Sequence, residues 1–195
     1  MKRHEPDRLH LELPPMTTAL IVVDMQVGSF TPRAVRHDTQ GLIARLNRLA
    51  DHVRTRKGLV VFVQHDGPPG DPHHPGEEGW RLLPEIAVCD ADRVVRKKSC
   101  DAFLGTDLDR VLQSVGAREL IITGCATDFC VDTTVRSALA RGYRTIVPSD
   151  GHTTADRPHL TAVQIIAHHN AVWADFISPA GAARVCPCAA VFDLT

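Results

Sequence analysis

Apolar residues along this chain fall into two kinds of pattern. Ala19-Leu20-Ile21-Val22-Val23, Leu59-Val60-Val61-Phe62-Val63, Leu120-Ile121-Ile122 and Thr145-Ile146-Val147 are short, continuous runs rich in β-branched residues. Such runs suit strands buried on both faces, as in a parallel sheet. Arg93-Val94-Val95 is a weaker fifth strand, and Val172-Trp173-Ala174-Asp175-Phe176-Ile177, with some alternation, reads as a sixth. Between these runs, apolar positions recur at helical spacing. Leu42, Leu46, Leu49 and Val53 mark a first helix, Leu108, Leu112 and Val115 a second. Val131, Val135, Ala138 and Leu139 mark a third, and Leu160, Val163, Ile166 and Ala167 a fourth, with Pro158 near its first turn. Gly58, Gly116 and Gly142 stop the first three, and Arg54, Arg56 and Lys57 suit the negative end of the first. Alternating strands and helices predict a doubly wound α/β domain: a mainly parallel, six-stranded sheet with helices on both faces. Right-handed crossovers then bring the loops after the strands to one edge, where ligands bind in such sheets.

A length of 195 residues fits a single domain over 1–195, with extensions at 1–15 and 179–195. Residues 64–84 are rich in Gly, Pro and His and lack periodicity, which suits a lid or binding loop. A formal net charge of −1 supplies no basic field for nucleic acid. No run approaches the ~18 apolar residues of a membrane span, and residues 1–15 lack the apolar core of a secretory signal. The six cysteines, Cys89, Cys100, Cys125, Cys130, Cys186 and Cys188, do not sit in a small secreted scaffold. Reduced thiols and a cytoplasmic protein are therefore expected.

Three polar positions follow predicted strands: Asp24, Lys97 and Cys130. Cys130 also precedes the third helix, whose positive end favours a thiolate. A carboxylate, an ammonium and a thiol meeting at one sheet edge would make a cysteine-hydrolase site. Asp24 would take the thiol proton, and the lysine would favour both anions.

The motifs that carry these residues are Val22-Val23-Asp24-Met25-Gln26, Lys97-Lys98-Ser99-Cys100-Asp101-Ala102-Phe103, and Gly124-Cys125-Ala126-Thr127-Asp128-Phe129-Cys130 running on to Thr134. In this order they resemble the isochorismatase-like cysteine hydrolases, over roughly Ala19 to Ile177. The spacing of the second motif, with its lysine six residues before the phenylalanine, selects Lys97 over Lys98. The resemblance implies a Cys130–Asp24–Lys97 triad and an oxyanion hole from the backbone N–H groups of Ala126 and Cys130. It also implies a non-proline cis peptide between Cys125 and Ala126. The implied reaction is hydrolysis of a small-molecule amide through a thioester, with no cofactor, by a homodimer or homotetramer. Residues 150–160 with His168-His169-Asn170 are similar to a branch containing streptothricin hydrolases. Two alternatives stay open: vinyl-ether cleavage of the isochorismatase type, which Cys130 argues against, and a catalytically idle member acting in assembly.

Candidate pocket residues are Gln26, Phe30, Trp80, Cys100 and His152. Gln26 would orient the site rather than react. Trp80 is equally suited to closing over substrate or to anchoring its loop. Near His152, Thr153 and Asp156 are ordinary helix-capping types. His65, Asp66, His73 and His74 invite a metal reading, but the Asp-x-His spacing of nicotinamidases survives only as Asp71-Pro72-His73, so no metal is expected. Cys186-Pro187-Cys188 is too small a set for zinc.

Overall fold

The computed structural model describes residues 17–30 and 35–194, so the extension at 1–15 lies outside the described residues. Seven strands form one sheet: β1 (Thr17–Val23), β2 (Leu59–His65), β3 (Arg93–Lys97), β4 (Ala117–Cys125), β5 (Arg144–Pro148), β6 (His152–Thr153) and β7 (Arg184–Cys186). The order is β3-β2-β1-β4-β5-β7, every pair is parallel, and the two-residue β6 adds to the end of β4. The helices are α1 (Thr39–Thr55), α2 (Leu108–Ser114), α3 (Asp132–Ala140), α4 (Ala162–Ala174) and α5 (Cys188–Val191). Among the described residues no helix is long and apolar enough to cross a membrane.

The continuous apolar runs are explained by burial on both sides. Ile21, Val23, Val61 and Val63 point into one core with Leu112 of α2, Val135 of α3 and Trp173 of α4. Their neighbours Leu20, Val22, Val60 and Phe62 point into a second core with Leu46 and Leu49 of α1 and Val191 of α5. Successive side chains of a strand face opposite ways, so only a strand covered twice is apolar at every position.

The sixth strand is placed differently from the sequence expectation. Val172 to Ala174 form the last turn of α4. Ala162, Ile165 and Trp173 are its buried residues, at spacings of three and eight, which is a helical stripe rather than alternation. The sheet is completed instead by β7, beside β5, within the segment expected to be an extension. That segment also supplies Cys188 and Val191 to the second core. The start of α4 is fixed by a capping box: Thr161 Oγ1 accepts from Gln164 N, and the Gln164 side chain accepts from Thr161 N. Asp156 contributes by accepting from Ala162 N at 2.7 Å, whereas Thr153 Oγ1 donates to His37 O.

His152, in β6, is a structural link that does not line the cavity beside Cys130. Its ring is buried edge-on to Trp173. Nδ1 lies 2.9 Å from Thr127 Oγ1, and Nε2 lies 3.0 Å from Asn170 Oδ1. Asn170 Nδ2 donates to Ser149 O, which turns its oxygen toward the ring, so Nε2 carries the proton and Nδ1 accepts from Thr127. Burial pushes this imidazole down to about 4, only partly opposed by the Asn170 hydrogen bond.

Two outcomes follow from this packing. A chain ending at Ser178 loses β7 and α5; by apolar area it should lose at least about 3 kcal/mol in urea unfolding, and unchanged stability would contradict the assignment of this segment to the core. His152 stays neutral in the folded state while the unfolded chain takes up its proton below about pH 6.5, so its contribution is lost as pH falls from there toward about 4. Between about pH 7 and about pH 4.5 the wild type should lose roughly 2–3 kcal/mol more than His152→Gln; parallel pH profiles would refute this.

Candidate active site

The carboxyl ends of β1, β3 and β4 meet at one edge. Residue 24 leaves β1 with φ 48°, in the left-handed region that Asp tolerates better than most residues. Its N–H donates to Val63 O at 2.9 Å. Gly124 permits the close approach of β4: a Cβ there would lie 2.1 Å from Val23 O, and its φ is 118°. The chain then passes through a cis peptide between Cys125 and Ala126 into a π-helical turn, Thr127–Val131, which runs directly into α3. Ala126 O accepts from Phe129 N and Val131 N. Among the described residues the Ala126 N–H donates to no acceptor. Cys130 thus sits in a wide turn ahead of the helix rather than within its first α-turn.

Asp24, Lys97 and Cys130 converge here. The Lys97 side chain is fully buried, and its Nζ donates in three directions: 2.7 Å to Asp24 Oδ2, 3.2 Å to Cys130 Sγ and 2.9 Å to Ser99 O. All three ammonium protons are used. Burial by itself opposes the Lys97 charge, but Asp24 and Cys130 more than offset it and hold the ammonium above its ordinary range. Burial pushes the Cys130 thiol up, the Asp24 charge adds to this, and Lys97 opposes it only in part. The thiolate expected from the helix start is therefore not favoured in the unliganded site: the lysine's charge is already engaged by the carboxylate. Asp24 Oδ1 is buried without a hydrogen-bond partner.

Two networks hold this arrangement. Gln26 is buried; its Nε2 donates to His65 O and Trp80 O, and its Oε1 accepts from His65 N. It ties the end of β1 to the loop after β2. On the other side Asp128 takes Arg157 Nε and Nη2 at 2.8 and 3.0 Å and the Thr154 hydroxyl at 2.6 Å, fixing the turn that carries Cys130.

A cavity of about 380 Å³, within the range of small-molecule sites, opens onto Asp24 and Cys130, with Lys97 buried behind them. Cys100 lines it, as do Ser29, Arg36, His65, His73 and Phe129. The other candidates lie elsewhere. Trp80 anchors its loop, with Nε1 donating to Asp66 Oδ1 at 2.8 Å and the Arg96 guanidinium over its ring. Phe30 packs on the second core, and Gln26 and His152 are buried and do not line this cavity. Arg36 escaped sequence reasoning because it sits in no periodic element and no motif. The His-rich loop was noticed as a binding loop, and it does bring His65 and His73 to the cavity wall. Among the described residues no group of three or more His, Cys, Asp or Glu side chains is placed to hold a metal ion. A larger depression of about 520 Å³, beside Asp109, Arg118 and Tyr143, lies at the opposite edge of the sheet, away from these groups.

Comparison with known proteins agrees with this geometry. The isochorismatase domain model matches residues 18–176. A streptothricin hydrolase of Streptomyces noursei is 36% identical over 140 residues, which is 72% of this chain but 56% of that protein. The chain thus spans little more than half of that relative's length. The ureidoacrylate amidohydrolase RutB of Variovorax paradoxus is 32% identical over 184 residues, covering 76% of this chain and 71% of its own. An isochorismatase crystal structure from Pseudomonas putida superposes with a TM-score of 0.82 at 28% identity, covering 92% of this chain and 93% of the other. With the domain matched over residues 18–176, most of its length, this chain belongs to the isochorismatase family of hydrolases.

Proposed function

We propose that the protein is a cysteine amidohydrolase that cleaves a C–N bond of a small molecule through a thioester on Cys130. The observation that carries this reading is the buried Lys97 ammonium set between Asp24 at 2.7 Å and Cys130 at 3.2 Å, two side chains that line an open cavity. The amidohydrolase among the relatives supports the same bond class.

The thiol is protonated at rest, so attack needs a base, and Asp24 is the carboxylate that interacts with it. As the S–C bond forms, the thiol proton passes to Asp24 and the carbonyl electrons move to oxygen. The N–H groups of Ala126 and Cys130 are the donors for that oxyanion. When the tetrahedral adduct collapses, the C–N bond breaks and the Asp24 proton leaves with the amine. Water then attacks the thioester, giving a proton to Asp24. The carboxylic acid departs as the C–S bond breaks, and that proton returns to sulfur. Lys97 stays charged throughout, compensating whichever of its two neighbours is anionic. A cysteine held in this way has no role in the vinyl-ether or idle readings.

Against a panel of primary amides and carbamoyl compounds, Cys130→Ala should lower ammonia release at least about a thousandfold, and Asp24→Asn by about a hundredfold or more. Full turnover by folded Cys130→Ala would remove the scheme. Because Lys97 and Asp24 are a buried pair, Lys97→Met should destabilise the fold by roughly 3–5 kcal/mol, much of which Asp24→Asn in the same chain should restore. Additive losses in the double variant, measured by urea unfolding, would contradict the coupling.

A further inference from the structure

The cavity has a second set of groups that the bond-breaking steps do not use. Arg36 Nε donates to Ser29 O at 2.8 Å; among the described residues its terminal nitrogens have no hydrogen-bond partner and its charge has no ion pair. Ser29 Oγ is 3.1 Å from His73 Nε2, and the His73 ring stands edge-on to His65 at 6.0 Å. These contacts form one continuous wall running from Arg36 toward the buried Asp24–Lys97 pair. His65 Nδ1 is buried with no partner, on a residue that lines the same cavity.

The charges facing this space do not balance. Asp24 lines the cavity but is neutralised by Lys97. Arg36 and Lys98 also line it. Lys98 feels Asp66, whose carboxylate is taken up by Arg96 and by Trp80 Nε1. Asp71, the other acid near the wall, is engaged by the His73 ring and backbone N–H. What remains uncompensated toward the cavity is positive. A half-enclosed site with one free guanidinium and spare imidazole nitrogen recognises a planar anion, for which arginine's fork is suited.

Resting on the amidohydrolase reading, we infer that Arg36, with Lys98 and His65, selects amides that carry a carboxylate on the part of the molecule away from the scissile bond. Cationic amides are disfavoured by the same wall, and neutral ones lose the guanidinium contact. Arg36 is a specificity-determining residue here; it takes no part in proton transfer.

Alkylation of Cys130 separates this inference from the amide reading, because it needs no hydrolysis. Iodoacetate and iodoacetamide differ in charge and little in size. With peptide mapping to resolve Cys130 from Cys100 and Cys89, the ratio of their rates at Cys130 should favour iodoacetate by about tenfold over the ratio for a free cysteine model, the effect expected of one incompletely screened charge nearby. Arg36→Leu should abolish the preference and Arg36→Lys should retain part of it. In parallel, ammonia release should be compared for succinamate and glutaramate, their methyl esters, and 4-aminobutanamide. A higher kcat/KM for the acids, lost mainly through KM in Arg36→Leu, supports the inference. No iodoacetate preference in the wild type, or an equal one in Arg36→Leu, overturns it even if amides are hydrolysed. An iodoacetate preference without hydrolysis of any amide leaves the anion site standing and removes the amidohydrolase reading instead. A Cys130 inert to both reagents even in strongly alkaline solution, where the thiolate forms, overturns both.

Discussion

One buried positive charge organises the candidate site. Lys97 has no exposure to solvent, and a lone ammonium in that position would cost several kcal/mol in desolvation. It is tolerated because each of its protons has an acceptor: a carboxylate, a sulfur and a backbone carbonyl. Two of those acceptors compete for the same charge. The carboxylate lies at the shorter distance, and burial together with the Asp24 charge pushes the thiol up. A thiol pushed up beside a carboxylate is the combination on which the proposed general-base attack rests.

The fold makes that meeting possible at small expense in chain length. Asp24 follows β1, Lys97 ends β3 and the turn bearing Cys130 follows β4; the strands are all parallel, so their carboxyl ends lie at one edge. The close contact of Gly124 with Val23 and the left-handed backbone at Asp24 bring two of the three loops together. Gln26 and the Asp128–Arg157 pair then fix the loops on either side. The three groups are placed at the ends of strands and held by hydrogen bonds, while Ser29, Arg36 and His73 of the cavity wall lie outside the strands.

How much of this was legible in the chain varied with the kind of signal. The four central strands, β1, β2, β4 and β5, could be read because burial on both faces makes nearly every position apolar. The meeting of Asp24, Lys97 and Cys130 could be anticipated because polar residues at the ends of such strands are out of place unless they have partners. Trp173 misled, since one large buried residue near a helix end imitates alternation when neighbouring positions are Val and Ala. The edge strand Arg184–Cys186 was silent: three residues flanked by small ones carry no period. The roles of Trp80 and His152 depended on partners such as Asp66 and Asn170, far away in the sequence, and no local pattern announces such pairings. Arg36 belongs to the same class, a lone charge in an irregular segment whose meaning comes only from the wall it joins.

The division of charge between Asp24 and Cys130 is open to direct measurement. The difference in ultraviolet thiolate absorbance between the wild-type protein and Cys130→Ala, followed across pH, reports the protonation of this sulfur alone. The account predicts no thiolate signal at neutral pH in the free protein, with absorbance rising only in strongly alkaline solution. A thiolate already present at neutral pH would mean that Lys97 is paired with sulfur rather than with carboxylate, and that Asp24 is not the base.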